Sequence, residues 1–302
     1  MILKQLMRKS ITNKQVTIAV AAAEDAETLE AVNQACEHQL ARFILYGNEA
    51  KIKSNLEQKI KRRLEAGEVT IVHTNSPQQS AQEAVRAVAM NEAHIVMKGH
   101  LSTSTILKAV LHKENGLRTG NVLSHVAAFE IPGYDRPIIV TDAAMNIAPN
   151  IQEKVQIIEN AVGVAQAMGI TKPKVAPIAA VEVVNPAMEA TTDAALLTQM
   201  NKRGQIKGCV VDGPLALDNA ISHVAAEQKG IQSEVAGAAD ILMVPTIESG
   251  NILYKSLIYF AKAKVGAVIA GAKAPIVLTS RADSAESKLY SLALAINVAT
   301  HN

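Results

Sequence analysis

Ser280 and Arg281 stand at a change of hydrophobic period. The apolar run 274–278 reads as a buried strand, and 289–298 repeats its apolar residues at helical spacing. Asp283 and Glu286 have the spacing of a capping box, which predicts a helix start near Ser284. A hydroxyl and a guanidinium therefore precede a helix N-terminus, whose free N–H groups and partial positive charge favour an anion. The arginine adds a planar fork suited to phosphate or to a developing oxyanion. The chemistry on offer is the neutralisation of negative charge; a helix cap with a surface arginine is the plain alternative.

Other strand ends carry polar clusters of the same kind. Past the strand expected at 95–97 comes Lys98-Gly99-His100-Leu101-Ser102-Thr103-Ser104-Thr105, four hydroxyls at a helix start that can cap the helix or hold phosphate. His100 is the one histidine of eight in such a loop. Asp142, Asn146 and Pro149 follow the strand at 137–141. Asp212-Gly213-Pro214 follows 208–211, and Glu248-Ser249-Gly250-Asn251 follows 241–244 and opens a helix. Singly, each is ordinary loop composition. In open α/β sheets, however, ligands bind beyond the carboxyl ends of the strands. Five such ends, divided between two halves of the chain, predict a cleft.

The elements that must hold these residues alternate along the chain. Strands are expected at 16–22, 43–46, 69–72 and 95–97, with helices at 26–39, 52–65, 77–90 and 102–111 between and after them. Two strands, 122–130 and 137–141, then follow each other around Asp135-Arg136-Pro137. The second half continues with helices at 151–168, 190–201, 217–228 and 252–263. An apolar stretch at 175–184 and strands at 208–211, 241–244, 265–270 and 274–278 complete it. Strand–helix alternation of this kind predicts an α/β fold on a largely parallel sheet.

Composition narrows the function. Thirty Lys and Arg against 28 Asp and Glu give a formal charge of +2, which supplies no bulk attraction to nucleic acid or to an anionic membrane. Aromatics at 3% and the absence of Trp argue against base-stacking platforms. Cys36 and Cys209 are far apart in apolar segments, as expected of buried free thiols in a reducing, cytoplasmic setting. The first fifteen residues lack the apolar core of a secretory signal, and no apolar run reaches membrane-spanning length. Ala21-Ala22-Ala23 stands where a dinucleotide fold would carry its glycines, and neither a P-loop nor a G-x-S-x-G elbow is present.

Read in order, five motifs resemble those of the phosphate acyltransferases, the family of phosphate acetyltransferase and phosphate butyryltransferase. They are Gly99-His100-Leu101-Ser102-Thr103, the block 141–149 from Thr141-Asp142 to Ala148-Pro149, Asp212-Gly213-Pro214-Leu215, the block 248–255 from Glu248 to Lys255, and Thr279-Ser280-Arg281. The run 280–288 looks most like the butyryl branch. The resemblance implies two Rossmann-like α/β domains flanking a cleft, similar to isopropylmalate dehydrogenases. The first would comprise 1–142 with 271–302, and the second 143–270. It implies transfer of a short acyl group between coenzyme A and inorganic phosphate in a ternary complex. Acyl-CoA, phosphate and acyl phosphate would be the ligands, coenzyme A the co-substrate, with no resident cofactor or metal and a homodimer or higher homo-oligomer.

By the same resemblance, Ser280 and Arg281 are catalytic. His100, Ser102, Thr103, Lys108, Arg118, Asp142, Asn146, Glu248, Asn251 and Lys255 bind substrates. Lys108 stands where acetyl-type members carry an arginine, and Ser287 where they carry an aspartate; Asp283 and Glu286 are the nearby candidates for a general base. A metal- and NAD-dependent decarboxylating dehydrogenase of similar fold, and a non-catalytic acyl-CoA or acyl-phosphate sensor, are the competing expectations.

Overall fold

The computed structural model describes residues 2–12, 16–55, 58–278 and 284–301. The first part of the chain forms α1 (Ile2–Thr12), β1 (Thr17–Ala21), α2 (Ala26–Glu37), β2 (Arg42–Gly47), α3 (Glu49–Asn55), α4 (Gln58–Glu65), β3 (Val69–His73), α5 (Pro77–Ala89), β4 (Ile95–Lys98), α6 (Thr103–Val110), β5 (Ser124–Glu130) and β6 (Ile138–Thr141). The rest forms α7 (Ile151–Ala167), β7 (Lys174–Pro177), α8 (Glu189–Lys202), β8 (Val210–Val211), α9 (Leu217–Ile221), α10 (His223–Gln228), β9 (Ile241–Met243), α11 (Ile247–Tyr259), β10 (Lys264–Ala270), β11 (Ile276–Leu278) and α12 (Ala285–Ala299). None of the described helices is long and apolar enough to cross a membrane.

Two compact units result. One joins Leu3–Asn121 to Gly266–Asn302, and the other runs Val122–Val265. In the first, the strand order is β3-β2-β1-β4-β11-β10. All are parallel except β10, which runs antiparallel to β11. Its strands read as continuous apolar runs because helices cover both faces of such a sheet; Ile18 to Ala21 and Ile95 to Met97 are buried throughout. In the second, the order is β5-β6-β9-β7-β8, with β5 antiparallel to β6 and the others parallel. The hairpin β5–β6 belongs to this unit, not to the one expected to end at Asp142, because β6 pairs along β9.

Local chemistry accounts for most boundaries. Ser76 caps α5 by accepting from the Gln79 N–H at 3.2 Å, and Pro77 fills the first helical position, where its missing N–H costs nothing. Asn150 and Glu153 cap α7 reciprocally. The single helix expected at 217–228 is broken at Ser222, whose hydroxyl starts α10 by accepting from the Ala225 N–H. The helix expected from 252 begins at Ile247, because Thr246 and Ser249 cap it; the Thr246 N–H donates to Ser249 Oγ at 3.3 Å. Helix α1 was not anticipated. It buries Leu3 and Leu6, and Asn297 Nδ2 on α12 donates to Ser10 Oγ and to the Leu6 carbonyl.

Candidate active site

The chain of the first unit passes outward through β1, β2 and β3, then returns to lay β4 on the other side of β1. The loops after β1 and β4 therefore diverge at a topological switch point, where such sheets take their ligands. The two loops touch through backbone. The Gly99 N–H donates to the Ala21 carbonyl at 2.8 Å, and the His100 N–H to the Ala22 carbonyl at 2.7 Å. A Cβ at Gly99 would stand 2.3 Å from the Ala22 oxygen, so only glycine permits this approach. Ala22 itself has φ +55, a left-handed conformation that costs a non-glycine residue about 1–2 kcal/mol.

The Gly99 turn delivers the hydroxyl cluster. Ser102 is the N-cap of α6 and accepts from the Thr105 N–H at 3.1 Å; its Oγ lies 2.8 Å from both Ser104 Oγ and Thr105 Oγ1. His100, Ser102 and Thr103 are exposed around this turn. Lys108 lies one turn beyond Ser104 and is also exposed. Arg118 is exposed on a segment fastened to the β10–β11 turn: Thr119 Oγ1 donates to the Gly271 carbonyl at 2.6 Å, and the Lys273 N–H to the Leu117 carbonyl at 2.9 Å.

Ser280, Arg281 and Asp283 lie outside the described residues. Their flanks are defined. β11 runs parallel to β4 with Leu278 opposite Lys98, so the chain leaves β11 beside the Gly99 turn. α12 begins after Ser284, where the sequence places a helix start. Its cap is the Ser284 hydroxyl, which accepts from the Ser287 N–H at 3.1 Å. The Asp283–Glu286 capping box falls on Asp283, outside the described residues; Glu286 Oε1 accepts from the Tyr290 hydroxyl at 2.9 Å, one turn along the helix. Lys288, which the sequence offered only as part of a motif, is 7% exposed, and its Nζ lies 3.4 Å from Glu27 Oε2 at the start of α2. A lysine in a helical run carries no sequence signal of such burial.

A second group of expected residues gathers in the other unit, where β6 and β9 end side by side with Thr141 opposite Met243. Asp142 is 3% exposed. Its carboxylate accepts from the N–H groups of Ala144, Met145 and Asn146 at 2.8, 3.0 and 3.2 Å and from Asn146 Nδ2 at 2.6 Å. Asn146 Nδ2 also donates to the Leu123 carbonyl at 2.8 Å. Both side chains are thus engaged in shaping the loop. The first turn of α11 packs on that loop through Gly250, where a Cβ would stand 2.4 Å from the Asp142 carbonyl oxygen. Asn251 Nδ2 is 3.4 Å from the Ala143 carbonyl, while Glu248 and Lys255 on the same helix are exposed.

Neither cysteine supplies a nucleophile. Burial pushes the Cys36 thiol up to about 12, with Arg63 opposing and Glu68 reinforcing, and pushes Cys209 up to about 11, with Glu159 reinforcing and Lys172 opposing. At neutral pH both remain thiols, and the thiolate is the reactive form.

The model of the family "Phosphate acetyl/butaryl transferase" matches residues 1–86 and 68–296. A probable phosphate butyryltransferase of Bacillus subtilis (strain 168) is 60% identical over 294 residues, 97% of each chain. The phosphate butyryltransferase of Clostridium beijerinckii is 49% identical over 97% of this chain and 96% of its own. The crystal structure of a branched-chain phosphotransacylase from Enterococcus faecalis V583 superposes with a TM-score of 0.84 at 40% identity, covering 95% of this chain and all of that one. A 4-hydroxythreonine-4-phosphate dehydrogenase from Salmonella typhimurium, at 14% identity and a TM-score of 0.58, shares the mixed α/β fold alone, the dehydrogenase-like architecture expected from the motifs. With a family model spanning nearly its whole length and close relatives matched end to end, this chain belongs to the phosphate acetyl/butyryl transferase family.

Proposed function

We propose that the chain moves a butyryl or similarly short acyl group between coenzyme A and inorganic phosphate by direct attack, with Ser280 and Arg281 neutralising the charge that develops. In the forward direction a phosphate oxygen attacks the thioester carbonyl carbon. A tetrahedral oxyanion forms, the C–S bond breaks, and sulfur leaves as a thiolate that takes up a proton. The products are an acyl phosphate and free coenzyme A, which is a substrate here and not a resident cofactor.

The observation that carries this reading is the pairing of β11 with β4 at the switch point. Leu278, the last described residue before Ser280 and Arg281, is opposite Lys98, which starts the Gly99 turn. A hydroxyl and a guanidinium following β11 and the hydroxyls of Ser102 and Thr103 thus issue from neighbouring strand ends. In this scheme Ser102, Thr103 and the α6 N-terminus hold phosphate, and Lys108 and Arg118 add charge, with His100 at the same turn. Within the second unit, Asp142 and Asn146 shape the loop beside α11, and Glu248, Asn251 and Lys255 on that helix are its substrate-binding residues in this scheme. Asp283 and Glu286 are candidates for the base, Glu286 already sharing a hydrogen bond with Tyr290.

Release of free thiol from butyryl-CoA, followed with and without inorganic phosphate, tests the function. Release that depends on phosphate and on no metal or nicotinamide is the expected result. Binding of butyryl-CoA without turnover would leave a sensor, and metal-dependent reduction of a nicotinamide would leave a dehydrogenase.

We propose further that the enzyme works as a homodimer in the cytoplasm, with α11 in the subunit contact. Of the thirteen residues of α11 only Gly250 is buried. Ile252, Tyr259 and the C-cap Phe260 are 66%, 62% and 87% exposed, an apolar face of the kind that marks an interface. A two-fold contact is self-complementary, so one such face meets its own copy. Phe260→Glu should raise the dimer dissociation constant at least tenfold in sedimentation equilibrium; a wild-type protein that sediments as a monomer at micromolar concentration would refute the contact.

A further inference from the structure

A groove of about 490 Å³ opens where α1, α2 and α12 meet, wholly within the first unit. Of its lining, only Glu286 has a part in the scheme above. Its walls are held in place. Asn297 Nδ2 on α12 donates to Ser10 Oγ at 2.9 Å and to the Leu6 carbonyl at 3.1 Å, and Ser10 Oγ lies 3.2 Å from the Ala293 carbonyl. These buried contacts fasten α1 along α12. Lys288 Nζ, 3.4 Å from Glu27 Oε2, joins α12 to α2.

The lining has two characters. Met7 and Ile11, one turn apart on α1, share the groove with Leu289 and the Tyr290 ring of α12 as an apolar floor. Lys4 and Arg8, also one turn apart on α1, run beside them as a basic row. Both are exposed, so their long side chains can hold charge over apolar surface. Glu286 is the one carboxylate among the described lining residues, and its Oε1 accepts from the Tyr290 hydroxyl. Two cations against one carboxylate leave one positive charge over.

This pattern selects among ligands. The floor would desolvate a polyphosphate without pairing most of its charge. An alkylamine would meet the basic row as a like charge. A linear carboxylate satisfies both parts: the Arg8 fork takes the carboxylate, and the chain buries its methylenes on Met7, Ile11 and Leu289. From Lys4 to Ile11 the groove follows α1 for about 10 Å, at about 1.5 Å per residue, the length of a medium alkyl chain. The volume falls in the range of small-molecule sites.

We infer that the α1–α2–α12 groove binds a free medium-chain fatty acid, with its carboxylate on Arg8 and Lys4 and its chain along Met7, Ile11 and Leu289. Such a site is independent of the acyltransferase reading.

Octanoate titrated into the full chain in calorimetry tests the site, with hexanoate, octan-1-ol and octylamine as comparisons. Wild type should bind one octanoate per chain. Hexanoate should bind about tenfold more weakly, from the two methylenes it no longer buries, and the alcohol and the amine at least tenfold more weakly. Arg8→Glu should weaken octanoate binding at least tenfold. Lys9→Glu makes the same charge change one residue along α1 and outside the groove lining, and should leave affinity within twofold. Ile11→Gln should weaken binding severalfold and flatten the dependence on chain length. Arg8 and Lys9 are exposed and Ile11 is half-buried, so the three variants should keep the wild-type urea midpoint. A wild type that fails to bind octanoate, or binds the alcohol as tightly, overturns the inference. So does an equal loss in Arg8→Glu and Lys9→Glu, which would reflect overall charge. Binding that fades as protein concentration rises would put a second copy in the groove. Sedimentation with phosphatidylglycerol vesicles that octanoate does not reduce would make α1 a membrane-binding surface. Either of these results also overturns it.

Discussion

Arg281→Ala is expected to lower kcat for butyryl-CoA by about 10²–10³-fold while leaving the urea midpoint of unfolding unchanged. The size follows from comparing two contributions to the barrier. In the reverse direction the thiol of coenzyme A is the nucleophile. With a pKa of about 8.5 it is a few per cent ionised at neutral pH, so complete deprotonation raises the nucleophile by only about thirtyfold. By microscopic reversibility the same proton transfer is worth no more in the forward direction. Loss of one donor to a developing oxyanion costs roughly 10²–10³ in rate. The donors therefore outweigh the base, and a serine at 287 where acetyl-type members carry aspartate is tolerable; here Ser287 is occupied in the α12 cap. Arg281→Lys should recover only part of the loss, because an ammonium keeps the charge without the bidentate fork. Stopped-assay kcat values beside denaturation curves decide the matter. Near wild-type turnover in Arg281→Ala would remove the site from the end of β11, and with it the significance of the β11–β4 pairing.

Asp142→Ala should destabilise the protein by about 3–5 kcal/mol. The carboxylate is the acceptor for three backbone N–H groups and one side-chain amide. A buried donor left without a partner costs about 1–3 kcal/mol, and relaxation of the loop toward water keeps the total below the simple sum. The damage should spread along α11, whose Gly250 is seated on the Asp142 carbonyl. Urea denaturation measures the loss directly. Asp142→Asn keeps the shape but replaces one acceptor with a donor, and should fall between the two. If Asp142→Ala keeps its stability and merely raises KM for phosphate or acyl-CoA, the residue is a substrate ligand and its loop-forming role is refuted.

Much of this could be seen in the residue order because the relevant physics is local. Strand–helix alternation, the hydroxyl turn after β4 and the start of α12 depend on hydrophobic period and on short-range hydrogen bonds. Small errors at the caps have the same local origin. Ser284 satisfies the N–H of Ser287, and Thr246 opens α11 ahead of the helical start expected at 252. The break at Ser222 escaped notice because a serine inside an amphipathic run is ambiguous between a cap and a helix interior.

Strand order is another kind of information. Nothing between residues 98 and 276 announces that β11 will lie beside β4, since parallel pairing joins segments through backbone bonds that any apolar run can make. The same holds for the burial of Lys288, the seating of Gly250 on Asp142 and the groove among α1, α2 and α12. Each arises where elements distant in the chain meet. One-dimensional pattern thus determined the fold class, the elements and the residue types able to meet an anion. Packing alone decided which strand ends became neighbours, and hence which of those residues can act on one substrate.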